Sequence, residues 1–425
     1  MAATVFILMG LFMILRVPIG ISIGFASIIG LLMYTDVSIM IVAQRMFSAV
    51  NNFSMMALPF FILAGELMSR GGISDRLIRF ASAILGSTRG GLAQVSVLSC
   101  MFFAAMSGSG VATTAAVGGS LIPKMVERGY DNRFSTALTC TAGALGPIIP
   151  PSILFVTYGV VANVSIGGLF IGGILPGVLI GLALMIVVYA YSVKRNYRGE
   201  PRAGWKELFV AFRKSILALF MPFIILGGIY GGFFTPTEAA IVATTYSIFL
   251  GVVVYREISL KELPALFLRA GITSATILFI VGTAFSFSWL LTSQNVPAQI
   301  AQAMVGFTSN KYIMLLLVNI VLLIAGCVID LNATIIVLTP ILLPAIVAMG
   351  IDPLHFGVIM VTNMSLGLVT PPLGLNLYVG AKISDLSVED ISKGVVPFLL
   401  AAIFILLLVT YIPPLATFLP QVLMG

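Results

Sequence analysis

Gly146-Pro147-Ile148-Ile149-Pro150-Pro151 stands in the middle of an apolar run over 131–165, and Gly367-Leu368-Val369-Thr370-Pro371-Pro372 stands in the middle of another over 353–383. Tandem prolines remove two backbone donors and push the residue before them out of the helical region. A helix that meets such a stretch stops and restarts, and its carbonyls at the break lose their helical partners. The two stretches lie 221 residues apart. The same offset pairs Thr113 with Thr334, Pro123 with Pro344, Gly129 with Gly350, Asp131 with Asp352, Gly159 with Gly380 and Pro176 with Pro397. No gap is needed, so the chain carries an internal duplication.

Composition says what solvent surrounds these breaks. Hydrophobic residues make up 60% of the 425, charged residues only 9%, and the mean hydropathy is +1.14. Soluble domains carry roughly 25% charged residues, so most of this chain faces lipid. The net charge of +7 does not point to nucleic acid, because the basic residues sit in loops between apolar spans. Cys100, Cys140 and Cys327 are far apart in apolar segments and form no metal or redox spacing. The start of the chain has no basic region and no small-residue cleavage site, and reads as a first span.

Crossings are expected over 3–34 (bent at Arg16-Val17-Pro18), 53–70, 131–165, 168–193, 214–234, 237–256, 272–292, 353–383 and 394–418. Residues 90–122, interrupted by Ser107-Gly108-Ser109-Gly110, and 312–343, interrupted by Gly326 and Asp330-Leu331-Asn332, read as re-entrant hairpins with polar tips inside the membrane. Amphipathic segments near 73–86, 204–214 and 258–270 are expected on the membrane surface. The chain then divides into an N-terminal scaffold helix (1–52), a first repeat (53–193), a basic loop with scaffold helices and a surface arm (194–271) and a second repeat (272–425). Five crossings separate equivalent points, which gives the repeats opposite topology. With the 194–214 loop in the cytoplasm, 19 of the 22 Lys and Arg lie inside. The N-terminus is then expected inside and the C-terminus outside. The fold class is an all-α polytopic membrane protein of two inverted repeats.

Proteins built this way bind their solute near the midplane, between the repeats. Half-helix N-termini suit an anion, and unwound carbonyls with hydroxyls suit a hard monovalent cation. Candidate site one combines Ser107 and Ser109 with the backbone at Gly146, Ile149 and Pro151. Candidate site two combines Gly326, Asp330 and Asn332 with Gly367, Thr370 and Leu373. Solute is expected near Ser107, Ser109, Asn332 and Asn363. The alternative is that the hydroxyls cap half-helices and that Asp330 is a helix cap; a carboxylate inside a membrane hairpin favours function.

Other polar residues have simpler explanations. Glu66 has Arg70 one turn on, Glu238 follows Thr235-Pro236-Thr237 at a helix start, and His355 follows Asp352-Pro353 at another. A single histidine excludes bis-histidine haem, and no nucleotide-binding loop is present. Neither a cofactor nor ATP is implied. Membrane proton relays use intramembrane acidic and basic chains, which are missing, so coupling to an ion remains.

Leu58-Pro59-Phe60-Phe61-Ile62-Leu63-Ala64-Gly65-Glu66-Leu67-Met68, Ser107-Gly108-Ser109-Gly110, Thr235-Pro236-Thr237-Glu238-Ala239-Ala240 and the two proline breaks together resemble the large membrane subunit of the tripartite ATP-independent periplasmic (TRAP) transporters, over essentially the whole chain. The resemblance implies sodium-driven import of an organic acid such as sialic acid or a C4-dicarboxylate across the bacterial inner membrane. It also implies a periplasmic substrate-binding protein, a separate small four-helix membrane subunit, and a transport domain that moves like an elevator against a scaffold. Sodium sites at hairpin tips and breaks carry over most directly to Ser107, Asp330, Gly367 and Thr370. A stand-alone sodium:carboxylate symporter is the alternative within transport; an ion-translocating subunit of a redox complex and a passive channel are the alternatives outside it.

Overall fold

The computed structural model describes residues 1–201, 203–308 and 310–424. Arg202, counted above among the cytoplasmic basic residues, and the C-terminal Gly425 lie outside the described residues. The first departure from expectation comes at once. Residues 3–34 are not one bent crossing but two helices, α1 (Ala2–Ile14) and α2 (Ile19–Tyr34). They run antiparallel, with Thr4 Oγ1 2.7 Å from the Tyr34 hydroxyl. Arg16 closes α1 in the left-handed region (φ 63°), the Val17 N–H reaches back to the Phe12 carbonyl (3.0 Å) and the Arg16 N–H to that of Met13 (3.0 Å). This is a Schellman closure, and Pro18 prevents continuation.

α3 (Met40–Val50), α4 (Ala57–Arg70) and α5 (Ile73–Leu85) follow, then hairpin one, α6 (Gly91–Ser107) and α7 (Gly110–Glu127). The first broken helix is α8 (Asn132–Gly143) and α9 (Ile153–Ala162), and α10 (Ile166–Arg195) completes the first repeat. α11 (Trp205–Tyr230) and α12 (Pro236–Ile248), prolonged by a π-helical turn over Phe249–Val254, form an antiparallel pair. The second repeat is α13 (Leu263–Ser293), α14 (Val296–Phe307), hairpin two as α15 (Lys311–Val328) and α16 (Leu331–Ala348), the broken α17 (Pro353–Gly367) and α18 (Leu375–Ser384), and α19 (Val388–Tyr411). α20 (Pro414–Met424) closes the described chain. Eight described helical segments are long and apolar enough to cross a membrane.

The offset of 221 is physical as well as textual. Asp131 and Asp352 cap α8 and α17 by accepting the N–H of Phe134 (2.8 Å) and Leu354 (2.7 Å). Gly129 and Gly350, just before them, both take positive φ (84° and 73°), which only glycine adopts without strain. The pairing of helices is exchanged between repeats. α12 runs parallel to α4, with Thr237 Oγ1 on the Phe53 carbonyl and Thr244 Oγ1 on that of Phe60 (3.0 and 2.8 Å). α2 runs parallel to α13, with Gly20 against Phe279, Gly24 against Thr283 and Gly30 against Leu290. Small residues at such crossings let helices approach closely where no hydrophobic force between them exists.

These contacts correct the expected placement of the termini. Val5 meets Leu290, near the far end of α13, through Gly30, and Met424 meets Gly167 at the start of α10. The first and last described segments therefore sit at one end of the molecule. The Arg128–Glu200 and Arg133–Asp390 ion pairs (3.2 and 3.1 Å) mark the opposite end. Counting 3–34 as a single crossing had put the N-terminus on the wrong side of the C-terminus. Other boundaries shift less: α11 and α13 absorb most of the segments expected on the surface at 204–214 and 258–270, 394–418 divides at Ile412-Pro413, and α3 and α14 are additions. The hairpin arms have 17 or 18 residues, about 26 Å of helix against a hydrocarbon core of roughly 30 Å, and the two arms of hairpin two are among the eight segments long and apolar enough to cross.

Candidate functional site

Hairpin one ends in a backbone arrangement that only its sequence permits. α6 stops at Ser107, Gly108 turns the chain with φ 60°, and Ser109 caps α7 by accepting the Ala112 N–H (3.3 Å). The Ser107 hydroxyl lies 3.0 Å from Thr113 Oγ1, which donates to the Ser109 carbonyl (2.7 Å). This tip is pressed onto the first break. A Cβ on Gly146 would lie 2.5 Å from the Ser109 carbonyl, and one on Gly108 would lie 2.7 Å from the Pro151 oxygen. Ser107, Ser109, Gly146 and Pro151 are thus brought together. Ile149 packs its side chain against Gly177 of α10. Among the described residues, no N–H donates to the carbonyls of Gly146, Ile149 or Pro151. They are the unpaired oxygens that the tandem prolines lead one to expect.

Hairpin two repeats the arrangement with different chemistry. Asp330 caps α16 by accepting the Ala333 N–H (3.1 Å), and Thr334 Oγ1 donates to the Asp330 carbonyl (2.9 Å). Gly326 and Gly367 touch backbone to backbone: a Cβ on Gly367 would lie 2.5 Å from the Gly326 oxygen. Thr370 Oγ1 donates to the Leu366 carbonyl (2.7 Å). Pro371, Pro372 and Leu373 are exposed, whereas Pro150 and Pro151 are buried. The second break is the open one.

The two tips face one cavity of 430 Å³. Gly108, Ser109 and Gly110 line it from hairpin one, Asp330 and Asn332 from hairpin two, and Thr273 and Thr276 from α13. Asn332 Oδ1 accepts a hydrogen bond from Thr157 Oγ1 of α9 (3.1 Å), which ties tip two to the first repeat. Gly326, Gly367, Thr370 and Leu373 do not line the cavity. Asn363 is also elsewhere: it is fully buried, and its Nδ2 donates to the Asn319 carbonyl (3.0 Å) and Oδ1 (2.7 Å), fastening α17 to α15. Thr113, Thr157, Thr273 and Thr276 were not singled out from the sequence. Thr113 had a signal, since it pairs with Thr334 in the duplication; Thr273 and Thr276 had a weaker one, as hydroxyls at helical spacing on a crossing.

The cavity's chemistry follows from its ends. α7 and α16 both begin at it, so the unpaired N–H groups of two first turns and two positive helix ends converge there. That favours an anion. Among the described residues that line it, Asp330 is the only charged side chain, with no Lys, Arg or His. An anion entering would meet a carboxylate with no compensating side chain, and a cation beside it removes the conflict.

The chain resembles known proteins over almost its whole length. Residues 6–415 match the family described as the tripartite ATP-independent periplasmic transporter, DctM component. The isethionate TRAP transporter permease protein DctMQ of Oleidesulfovibrio alaskensis is 46% identical over 96% of this chain, which spans 64% of that protein's length. The C4-dicarboxylate TRAP transporter large permease protein DctM of Vibrio cholerae is 40% identical, covering 100% of this chain and 98% of its own. The sialic acid TRAP transporter large permease protein SiaM of the same organism is 36% identical over 96% of each. In fold, the Alcanivorax borkumensis YdaH transporter superposes with a TM-score of 0.63 at 14% identity, covering 89% of this chain and 90% of that one. The chain is a multi-pass membrane permease, not an enzyme, and it belongs to the DctM component family of the tripartite ATP-independent periplasmic transporters.

Proposed function

We propose that this chain is the large permease of a sodium-coupled importer of a small organic anion in the bacterial inner membrane. The observation that carries this is the cavity on which two helix N-termini and one carboxylate without a described cationic partner, Asp330, converge. The helix ends attract a carboxylate or sulfonate, and sodium offsets Asp330 and the anion together. Sodium takes its oxygens at site one from Ser107, Ser109, Gly146, Ile149 and Pro151. At site two it takes them from Gly326, Asp330, Asn332, Gly367, Thr370 and Leu373. The anion sits between Ser109 and Asn332, with Ser107 beneath. Relatives named for C4-dicarboxylates, sialic acid and isethionate support this substrate class.

The substrate reaches the chain on a periplasmic binding protein, and a small membrane subunit extends the scaffold. Both hairpins and both broken helices move together as an elevator against α2–α4 and α11–α13. The basic end faces the cytoplasm by the positive-inside rule, and α1 begins and α20 ends on the periplasmic side. A stand-alone sodium:carboxylate symporter would share the site but need no binding protein. Counterflow in proteoliposomes that hold this chain, its small membrane subunit and the binding protein, preloaded with a panel of carboxylates and sulfonates, tests the class: exchange of at least one of them, absent with neutral sugars, supports it, and exchange of none sinks it.

A further inference from the structure

A second cavity, larger than the one between the hairpin tips, lies away from them at the basic end of the molecule. It has a volume of 730 Å³ and is walled by α5, the first turns of α11 and the 254–257 segment. Arg76, Arg79, Lys206, Arg213 and Lys214 line it with Asp75, Glu207 and Glu257. The acids are engaged. Asp75 accepts from the Ser120 hydroxyl (3.2 Å), Glu207 accepts the Gly204 N–H (3.2 Å) and caps α11, and Glu257 pairs with Arg76 (3.5 Å). Arg76 also donates to the Gly72 carbonyl (2.6 Å) and lies 3.9 Å above the Tyr255 ring. Among the described residues, no carboxylate comes within 4.0 Å of Arg79, Lys206, Arg213 or Lys214. The lining carries five cations against three carboxylates, an excess of two positive charges, and four of the cations have no described acidic partner within reach, which makes the cavity attractive to an anion.

Its depth and its rim say which anion. α11 has 26 residues, about 39 Å, roughly 9 Å more than the hydrocarbon core. Its first turns therefore stand in the headgroup layer, where Trp205, 83% exposed, finds the interface tryptophans favour. Beside the cavity α11 exposes Phe209, Phe212, Ile216, Phe220 and Phe223 at helical spacing. A soluble anion uses only the cations; a phospholipid uses cations and stripe together. The wall is fixed, with the Ser215 hydroxyl on the Arg76 carbonyl (2.8 Å) and the rings of Phe80 and Phe212 5.7 Å apart.

We propose that this cavity holds the phosphodiester headgroup of one anionic phospholipid, with its acyl chains along the Phe209–Phe223 stripe. α5 joins α4 to hairpin one, so the bound lipid braces the arm from which the first tip hangs.

The test is native mass spectrometry of the full chain, alone and co-purified with its small membrane subunit, in micelles carrying phosphatidylglycerol or zwitterionic phosphatidylethanolamine. One phosphatidylglycerol should be retained in both preparations, at least about tenfold over phosphatidylethanolamine. Arg79→Gln/Arg213→Gln/Lys214→Gln should abolish the preference, and Lys214→Gln alone should weaken it roughly fivefold, which serves if the triple variant does not fold. Arg256→Gln/Lys261→Gln, removing equal charge per site from the same end, should leave it intact. Equal retention of the two lipids, unchanged retention in the variants, displacement by excess inorganic phosphate, or loss on adding the small subunit would each overturn the proposal.

Discussion

Ser109 and Asp330 are the same residue of the fold written twice. Each caps the second arm of its hairpin, and each carbonyl receives the hydroxyl of the threonine four residues on, Thr113 at 2.7 Å and Thr334 at 2.9 Å. Both line the cavity between the hairpins. One caps with a neutral hydroxyl and the other with a charge, so the duplication leaves the site a single carboxylate. Capping alone needs no charge, since Asn, Asp and Ser cap about equally. The charge at 330 is therefore free to serve transport.

Asp330→Asn separates the two roles. The cap survives, so thermal unfolding in detergent should move little, whereas Asp330→Ala should cost about 1 kcal/mol. Both should lose sodium-driven uptake by at least about tenfold. Full uptake by Asp330→Asn at low sodium would remove the carboxylate from the ion site.

Gly367→Ala should destabilise the second break. Its Cβ would meet the Gly326 carbonyl at 2.5 Å, and relief by backbone movement costs about 1–3 kcal/mol. Gly227→Ala, in a helix with nothing within 4 Å of the new carbon, is the control. Matching unfolding temperatures for the two variants would show that tip two is not seated on the break.

Thr157→Val removes the only described partner of Asn332 across the repeats. The net loss of one hydrogen bond is about 1 kcal/mol, so the fold should hold. The expected change is a raised KM for the anion with little change in maximal rate, because Asn332 loses its orientation at the cavity. An unchanged KM would place Asn332 outside the anion site.

Cysteines at Ala3 and Gln421 should react with an impermeant maleimide from the same side of the membrane, and one at Arg198 from the other. The three native cysteines are buried and supply a quiet background. Labelling of Ala3→Cys and Gln421→Cys from opposite sides would contradict the α1–α2 hairpin.

What the sequence disclosed depended on whether the chain's turns were punctuated by glycine and proline. Both breaks were legible because Pro150-Pro151 and Pro371-Pro372 cannot sit inside a regular helix, and both hairpins because Ser107-Gly108-Ser109-Gly110 and Asp330-Leu331-Asn332 interrupt apolar runs. The turn at Arg16 was not, since a left-handed residue with a side chain gives no local signal, and Pro18 alone looked like a kink. That one misjudged turn reversed the expected side of the N-terminus. α11 was cut short at 214 because Arg213 and Lys214 interrupt its apolar run, although their stems let the charges reach polar surroundings from within a helix. Solute was expected near Asn363, but its bond to Asn319 depends on two helices meeting and has no trace in either segment alone.

The most direct test of the account is anion uptake into proteoliposomes holding this chain and its small membrane subunit, with an inward sodium gradient and the cognate binding protein each present or absent. The account predicts accumulation only when both are present. Accumulation with sodium and no binding protein, or with the binding protein and no sodium, would contradict it.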